Sequence, residues 1–524
     1  MQHISGISRQ QLQISSLEDK ITLDNPVRFI EAFVENISLE VLGFTTRILK
    51  SEGRPSFESK VFLKLYLYGY LNGLRSSRKL EKECIRNIEL QWLLCGIVPN
   101  YHSISDFRKH NPSGLKKMFK LFVSFLKDAD LIAGETIAID GTKSRAHNSK
   151  KANFNQKKID QHLAYIEAKT LEYLDALAEN DVKESPTKIQ NIQQKIERLK
   201  KNKIRYELLE EKLKASGEPQ ISTTDSDARA LLVQGQVVEI SFNLQAAVDA
   251  KHNLVVATHT INKNDRSALS AIAIEAKENL SIETYTALVD KGYHNGKQIE
   301  ICKHANITTI VAQPEQGKNK ERIAEDYLIS KFQYNSINDT YTCPQGETLT
   351  TTGHWHKKTD KESYTFKRYR TPKCKVCPVQ HLCTSRKAGR DIDRSQYADA
   401  VEENNKRYHA NAQLYRKRQE INEHIFGTIK RQWGYNHTNL KGLEKVNGEH
   451  SLIMLVYNIK RSINILGVPE LIAKLKKWNS PYKVKVLVFK ISTNLKLFLA
   501  QTIFGSNQNT QKLAQLKINL YASS

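Results

Sequence analysis

The sequence predicts an α/β protein with a mixed five-stranded sheet flanked by helices. Three observations support this class. Short apolar segments typical of strands recur between residues 135 and 311 and alternate with helical periodicity. The 524 residues are enough for one large domain and one or two smaller ones. A hydrophobic content of 40% excludes a wholly disordered chain.

The charge balance favours a polyanionic partner. The formal net charge is +24, from 80 basic and 56 acidic residues, and an excess of this size favours nucleic acid over a small-molecule substrate. The N-terminus lacks a secretory pattern, and no run of about 18 apolar residues predicts a membrane span. Seven cysteines do not make a disulfide scaffold. We therefore expect a cytoplasmic, nucleoid-associated protein with no membrane contact.

Residues 1–130 are expected to form a helical DNA-binding domain. A turn is predicted at 53–56, followed by a helix from Phe57 to Leu74. A second helix is predicted through Leu80 and Ile88, and a third near Ser103, where Ser-Ile-Ser-Asp resembles a capping box. Several cations suit contact with DNA: Arg75, Arg78, Lys79, Lys82 and Arg86. A plain helical scaffold is the alternative interpretation.

The predicted catalytic core occupies residues 131–154 and 216–314. Its first strand is expected to end at Asp140, before a turn glycine. Residues 155–215 are predicted to insert an antiparallel helical hairpin, because apolar residues there alternate spacings of four and three. Further strands are predicted at 237–249, 254–258, 285–290 and 307–311, with helices near 267–280 and before the last strand.

The remainder is predicted as three segments. Residues 315–400 form an irregular, cysteine-bearing insertion, and 401–470 form a long helical region that extends from Ala410 to Ile465. Residues 471–524 form a basic C-terminal tail, whose last 44 residues contain six lysines and no acid.

Two aspartates stand at predicted strand ends. Asp140 and Asp290 each follow a short apolar strand and precede a glycine within two residues. If their strands are neighbours, both carboxylates emerge at one edge of the sheet, where α/β proteins place their chemistry. Hard divalent cations such as Mg²⁺ take oxygen ligands, so two or three carboxylates suffice. The alternative is a pair of strand-end aspartates without a shared site.

A third carboxylate lies in a basic helical segment. Positions seven apart on a helix differ by about 20° in direction, so Glu423 shares a face with Lys430 and with Arg416. One acid among several cations suits a site where the acid holds a metal and the bases hold phosphate oxygens. A surface ladder of salt bridges is the alternative.

Several segments together resemble the DDE transposases of bacterial insertion sequences. They are IAIDGTK, TALVDKGYHNG and YRKRQEINEHIFGTIKRQWG, and the region from Gly53 to Asn111 is similar to the helical N-terminal unit of one branch. That family carries a Tyr-x₂-Arg-x₃-Glu-x₆-Lys signature. Glu423 and Lys430 keep the six-residue gap, whereas four residues instead of three separate Arg418 from Glu423. Arg416 is therefore an alternative to Arg418.

The resemblance implies an RNase H-like catalytic domain that cuts DNA and joins it to a target. Asp140, Asp290 and Glu423 would hold two Mg²⁺ or Mn²⁺ ions, and Lys430 would grip a phosphate. A homodimer on paired ends of double-stranded DNA is expected. The residues expected to contact that DNA are Tyr415, Arg416, Arg418, Lys291, Arg431 and Trp433. The alternatives are a transposase-derived DNA-binding regulator without catalysis and a nuclease that only hydrolyses.

The cysteine cluster suggests a separate, structural metal. Cys343, Cys374, Cys377 and Cys383 fall within about forty residues, and two of them form a Cys-x₂-Cys pair. Four thiolates are what tetrahedral Zn²⁺ needs. We therefore expect a structural zinc that folds the insertion. His381 could replace one cysteine, and four reduced, unligated thiols are the alternative.

Overall fold

The structure is a computed structural model that describes residues 10–12, 14–45, 56–180, 186–234, 237–314, 323–358 and 363–479. Most of the turn predicted at 53–56, and the basic tail from residue 480 onward, lie outside the described residues. None of the helices in the described residues combines the length and apolarity needed to span a membrane.

Six helices form the N-terminal part of the described chain. They are α1 (Pro26–Glu35), α2 (Ser59–Leu71), α3 (Ser77–Arg86), α4 (Ile88–Leu93), α5 (Tyr101–His110) and α6 (Pro112–Asp128). Helix α2 is buried along nearly its whole length, because its apolar residues surround the helix.

Two N-terminal predictions were wrong in detail. The single helix predicted through Leu80 and Ile88 is two helices, because Asn87 adopts an extended conformation and its side chain accepts hydrogen bonds from the first turn of α4. The helix predicted to begin near Ser103 begins at Tyr101, and its cap is Asn100, which accepts a hydrogen bond from the Ser103 amide.

The central part begins with strand β1 (Thr136–Arg145) and a short strand β2 (Asn153–Phe154). Helices α7 (Gln156–Asn180) and α8 (Pro186–Ser216) then form the expected hairpin, which packs through Ile159, Ile166, Ile196, Leu209 and Leu213. The chain continues through β3 (Ile221–Ser222), β4 (Arg229–Gln234), β5 (Val237–Asp249), β6 (Leu254–Ile261), α9 (Leu269–Leu280), β7 (Tyr285–Val289), α10 (Gly296–His304) and β8 (Ile307–Val311).

The main sheet is mixed, as predicted, but it has six strands instead of the five expected, because β4 also pairs with β5. Its core strands lie in the order β6-β5-β1-β7-β8, and β4 pairs with the first half of β5. Strand β5 runs antiparallel to β1 and β6, whereas β1, β7 and β8 are parallel. The prediction that β1 ends at Asp140 was wrong. The strand continues to Arg145 because its second half stays paired with β5, while its pairing with β7 stops at Ile139.

The cysteine-bearing segment is not irregular, contrary to the prediction. It contains β9 (Gln333–Asn335), β10 (Thr340–Thr342), β11 (Thr348–Lys358), β12 (Tyr364–Arg370), α11 (Gln380–Cys383) and β13 (Ile392–Ser395). The five strands form one antiparallel sheet with its own small core, which contains Phe332, Tyr341, Leu349, Tyr369 and Ile392.

The helical region that follows is interrupted, whereas the sequence predicted one long region. It consists of α12 (Ala398–Ala410), α13 (Ala412–Phe426), a π-helical turn (Gly427–Gln432), α14 (Leu443–Leu466) and α15 (Val468–Lys477). Residues 433–442 between the π-helical turn and α14 are not helical. Helix α14 is the central helix of this part and packs on α6, α2 and β6.

A buried carboxylate joins α14 to the N-terminal helices. Glu449 is fully buried and lies 3.7 Å from both Arg75 and Arg108. It also accepts a hydrogen bond from the Tyr70 hydroxyl. Arg75 further donates to the carbonyl oxygen of His437 at 2.9 Å. The expectation that Arg75 faces DNA is therefore wrong, because this guanidinium is buried inside the protein. Arg78, Lys79, Lys82 and Arg86 are exposed.

Candidate active site

The β-sheet register brings the first two carboxylates together. Parallel pairing of β1 with β7 matches Ile139 with Val289, so the residues that follow, Asp140 and Asp290, are the next neighbours across the two strands. Paired residues on parallel strands point to the same side of the sheet, and adjacent strands lie about 4.8 Å apart. The prediction that two neighbouring strands deliver these aspartates to one edge agrees with this register.

One guanidinium contacts both aspartates. Arg418, on α13, lies 3.5 Å from an Asp140 carboxylate oxygen and 3.5 Å from an Asp290 carboxylate oxygen. The side chains of Asp140 and Asp290 are 29% and 41% exposed, so solvent and a ligand can reach both. The Arg418 Nε atom is buried and has no hydrogen-bond partner. Helix α13 therefore supplies a cation to the carboxylate pair, but through long contacts that leave carboxylate lone pairs available.

Asp140 ionises less readily than an ordinary aspartate. Burial raises the pKa of Asp140 to about 6, and the charges of Asp290 and Asp265 act in the same direction. A hydrogen bond from the Gly141 amide and the charge of Arg418 oppose the shift without cancelling it. A carboxylate that is costly to ionise, beside two others, is a group that a cation would stabilise.

The sequence reasoning missed a third aspartate, Asp265, which stands between β6 and α9. It binds Lys143 at 2.8 Å and accepts hydrogen bonds from Asn243 at 2.7 Å and Gln245 at 2.9 Å. A Cβ atom at position 141 would lie 2.6 Å from Asp265, so Gly141 permits this approach. Burial raises the pKa of Asp265, but Lys143 and the two amides hold it below its ordinary value. The sequence offered one signal for Asp265, namely that it follows a predicted strand, as Asp140 and Asp290 do.

Among the described residues, Glu423 is not grouped with the two aspartates in the arrangement of a metal site. It is exposed and accepts a hydrogen bond from Gln419 at 2.8 Å. Because successive helical residues turn by about 100°, Glu423 points about 140° away from Arg418 around α13. The residue one turn after Arg418 on the same face is Asn422, which is buried.

Lys430 lies on the π-helical turn and is already engaged. Its ammonium donates a hydrogen bond to the Lys143 carbonyl oxygen at 2.7 Å. Burial and the nearby charge of Lys143 lower the pKa of Lys430. Lys430 therefore reaches the second half of β1, beyond Asp140.

The other residues expected to contact DNA fall into two groups. Arg416, Arg431 and Lys291 are exposed. Tyr415 and Trp433 are half-buried, and each makes aromatic contacts within the protein, Tyr415 with Tyr408 and Trp433 with Tyr435.

The four clustered cysteines line one small cavity in the β9–β13 unit. Burial raises the pKa of Cys383, and the three other thiols act in the same direction. Gly389, with φ +97°, lies so close to Cys374 that any Cβ there would overlap it. Across the described residues, no three His, Cys, Asp or Glu side chains are grouped in the arrangement of a metal site.

These features define an α/β protein whose candidate site pairs strand-end carboxylates with helix-borne cations. Residues 342–463 match a family model described as "Transposase DDE domain", and residues 15–110 match one described as "Transposase domain (DUF772)". The first match includes Glu423, Lys430 and the four clustered cysteines, but neither Asp140 nor Asp290. No curated protein and no solved structure matches the chain. Two separate segments of the chain are thus similar to transposase domains, and the two matches together support an insertion-sequence DDE transposase.

Proposed function

We propose that this chain binds the ends of an insertion sequence and catalyses metal-dependent DNA cleavage and strand transfer. The observation that carries the proposal is the register of β1 and β7, which makes Asp140 and Asp290 neighbours beside Arg418. The matches to two transposase models at separate positions support the same function. A homodimer would hold the two ends together.

The catalytic domain is proposed to be RNase H-like. Its support is the mixed sheet of five core strands, interrupted by the α7–α8 hairpin and followed by the β9–β13 unit. DNA would also contact the N-terminal helices through the exposed cations of α3, which are Arg78, Lys79, Lys82 and Arg86.

The carboxylates fit hard divalent cations. Asp140, Asp290 and Glu423 would hold two Mg²⁺ or Mn²⁺ ions through oxygen atoms, the ligands these ions prefer. Such ions activate a water or a 3′-hydroxyl and neutralise the leaving oxygen of a phosphodiester. With a pKa of about 6, Asp140 is largely ionised at neutral pH and can act as a ligand.

The surrounding residues would bind and orient DNA. Arg416, Arg431 and Lys291 are exposed cations and would contact phosphates. Arg418 and Lys430 would contact phosphates near the reacting bond after leaving their present partners. The half-buried Tyr415 and Trp433 would pack against the DNA at the edge of the site.

The test is cleavage and strand transfer with DNA that contains the element's ends. Asp140→Asn, Asp290→Asn and Glu423→Gln should each lower cleavage by more than about 100-fold, because each removes one proposed ligand. Glu420→Gln is the matched control, since Glu420 is an exposed acid on the same helix. It should cleave like the wild type.

The outcome also separates the alternatives. Products joined to target DNA would exclude a nuclease that only hydrolyses. Equal cleavage by the wild type and all three carboxylate variants would contradict the proposed site. End binding without any cleavage in Mg²⁺ or Mn²⁺ would favour a DNA-binding regulator.

The β9–β13 unit is proposed to hold one structural Zn²⁺. Cys343, Cys374, Cys377 and Cys383 line one cavity, and thiolates are preferred zinc ligands. The test is the zinc content of purified protein, with Cys377→Ser as the variant and Cys95→Ser as the control, since Cys95 is exposed and lies elsewhere. Zinc-free wild type, or full zinc content in the Cys377 variant, would exclude this site.

A further inference from the structure

Helix α13 is bounded by a joint at each end. At its start, Asn411 leaves the helical conformation, and its side chain closes α12 through a hydrogen bond to the Arg407 carbonyl. At its end, the Trp433 amide donates to the Thr428 carbonyl, five residues back, at 3.0 Å. A π-helical turn of this kind contains one residue more than an α-helical turn. The helix between the two joints can therefore change register as a unit.

In the observed register of α13, the polar side chains on the face of the helix that contains Arg418 do not suit a divalent cation site. Arg418 places a positive charge between Asp140 and Asp290. Asn422, one turn later on the same face, is 2% exposed, yet neither its amide nitrogen nor its amide oxygen has a hydrogen-bond partner. Leaving a buried polar group unpaired is unfavourable, because its hydrogen bonds to water are lost and not replaced. Glu423, the proposed third ligand, points to solvent.

We propose that α13 has a second register, displaced by one residue, which delivers Glu423 to the site. In that register the π-helical turn closes into an α-helical turn, and the helix rotates by about 100° and slides by about 1.5 Å. Glu423 then takes the direction that Asn422 has now, and Gln419 takes that of Arg418. The inference rests on the proposed function, because it assumes that Glu423 is the third ligand.

The rotation exchanges a cation for an anion at the carboxylate pair. The Arg418 guanidinium turns away from Asp140 and Asp290, and the Glu423 carboxylate approaches them. Three carboxylates without a counter-charge repel one another, so this register is stable only when divalent cations neutralise them. Mg²⁺ or Mn²⁺ therefore selects it, because these ions bind it more tightly than the present one.

The packing of α13 allows both registers at a modest cost. The buried stripe now contains Ile421 and Ile425. In the second register, Asn422 and Phe426 would occupy the positions that Ile421 and Ile425 occupy now. Phe426 is already half-buried against the same core, as is Tyr415. Placing Asn422 where Ile421 now lies is unfavourable, which keeps the present register dominant without divalent cations.

The first test follows the exposure of position 421. Ile421→Cys should be protected from a maleimide without divalent cations, and its labelling should rise roughly tenfold or more with Mn²⁺ as the helix rotates. Ile453→Cys is the matched control: Ile453 is also buried, but it lies on α14, outside the segment that moves. Mass spectrometry of the labelled peptides separates these sites from the seven native cysteines. No change at 421, or an equal rise at both positions, would overturn the proposal.

The second test removes the extra residue. Deleting Thr428 in the Ile421→Cys background should keep position 421 protected even with Mn²⁺, because a turn with one residue fewer closes into an α-helical turn while α13 stays in its present register. Thr428→Ala, which keeps the length, should still allow Mn²⁺ to raise the labelling of position 421. Labelling of position 421 that still rises with Mn²⁺ after the deletion, in a folded protein, would contradict the second register. If the deleted chain does not fold, the Mn²⁺ titration decides alone. Neither readout needs DNA or turnover, so a failure here is distinguishable from a failure of the proposed transposase activity.

Discussion

Two clusters of arginine and carboxylate groups differ in how their charges balance. At Glu449, one fully buried carboxylate lies near two guanidiniums, Arg75 and Arg108, and accepts a hydrogen bond from Tyr70. At the candidate site the ratio is reversed, because two carboxylates share Arg418 at 3.5 Å each. The carboxylate of the first cluster is satisfied by the protein itself, since both of its oxygens accept hydrogen bonds. The second has acceptor capacity left over, which is what a cation site needs.

The pKa shifts of the two clusters have opposite signs. Burial raises the pKa of Glu449, but Arg108 and Arg75 outweigh it and hold the value below the ordinary one. Burial raises the pKa of Asp140 to about 6, and a single arginine does not reverse the shift. The number of cations per carboxylate thus separates the buried ion cluster at Glu449 from the candidate cation site.

The strongest test of the comparison is to remove the structural carboxylate. Glu449→Ala should lower the free energy of unfolding by about 3–5 kcal/mol, because it leaves two buried guanidiniums without their partner. Urea denaturation of the variant and the wild type measures the change. Glu449→Gln should lose less, since an amide oxygen can still accept the Tyr70 hydrogen bond. A loss below about 1 kcal/mol for the alanine variant would show that the cluster is not structural.

Replacing Asp140 should change the free energy of unfolding in the opposite direction from replacing Glu449, namely upward relative to the wild type as pH rises. Because the folded-state pKa of Asp140 is raised, the group contributes stability at low pH that is lost as pH rises from 3.8 to about 6. Asp140→Asn lacks this loss, so its stability relative to the wild type should grow by about 2 kcal/mol across that window. Urea denaturation at a series of pH values measures it. A difference that is constant with pH would contradict the raised pKa.

Removing Asp290 should change stability least. Its side chain is 41% exposed, so Asp290→Asn should alter the free energy of unfolding by less than about 1 kcal/mol. The charge of Asp290 raises the pKa of Asp140, so the inflection in the pH series should move to lower pH in this variant. An unchanged inflection would show that the two carboxylates do not interact.

The sequence predicted the parts of the site that local patterns determine. Apolar segments that end in an aspartate located β7 and the pair Asp140–Asp290, and the hairpin of α7 and α8 followed from its periodicity. The pattern did not show that β1 continues past Asp140, because that extension depends on pairing with β5 about 100 residues away.

Other features depend on tertiary contacts that no local pattern records. The burial of Arg75 requires Glu449, which is distant in the chain. Asp265 joins the site only because Gly141 permits a close approach to β1. The partly polar strands β9–β13 have too little apolar periodicity to predict a sheet. The direction of Glu423 depends on the π-helical turn, because one extra residue in that turn rotates α13 relative to α14.

The position of Glu449 has a consequence for synthesis on the ribosome. Tyr70 and Glu449 are 379 residues apart, and at about 5–20 residues per second the second follows the first by roughly 20–75 s. During that interval Arg75 and Arg108 have no carboxylate to meet, so the emerging N-terminal helices cannot complete their native packing. A chain that stops before residue 449 would lack the same partner, and premature termination should therefore yield a chaperone-dependent fragment in place of a stable free N-terminal unit.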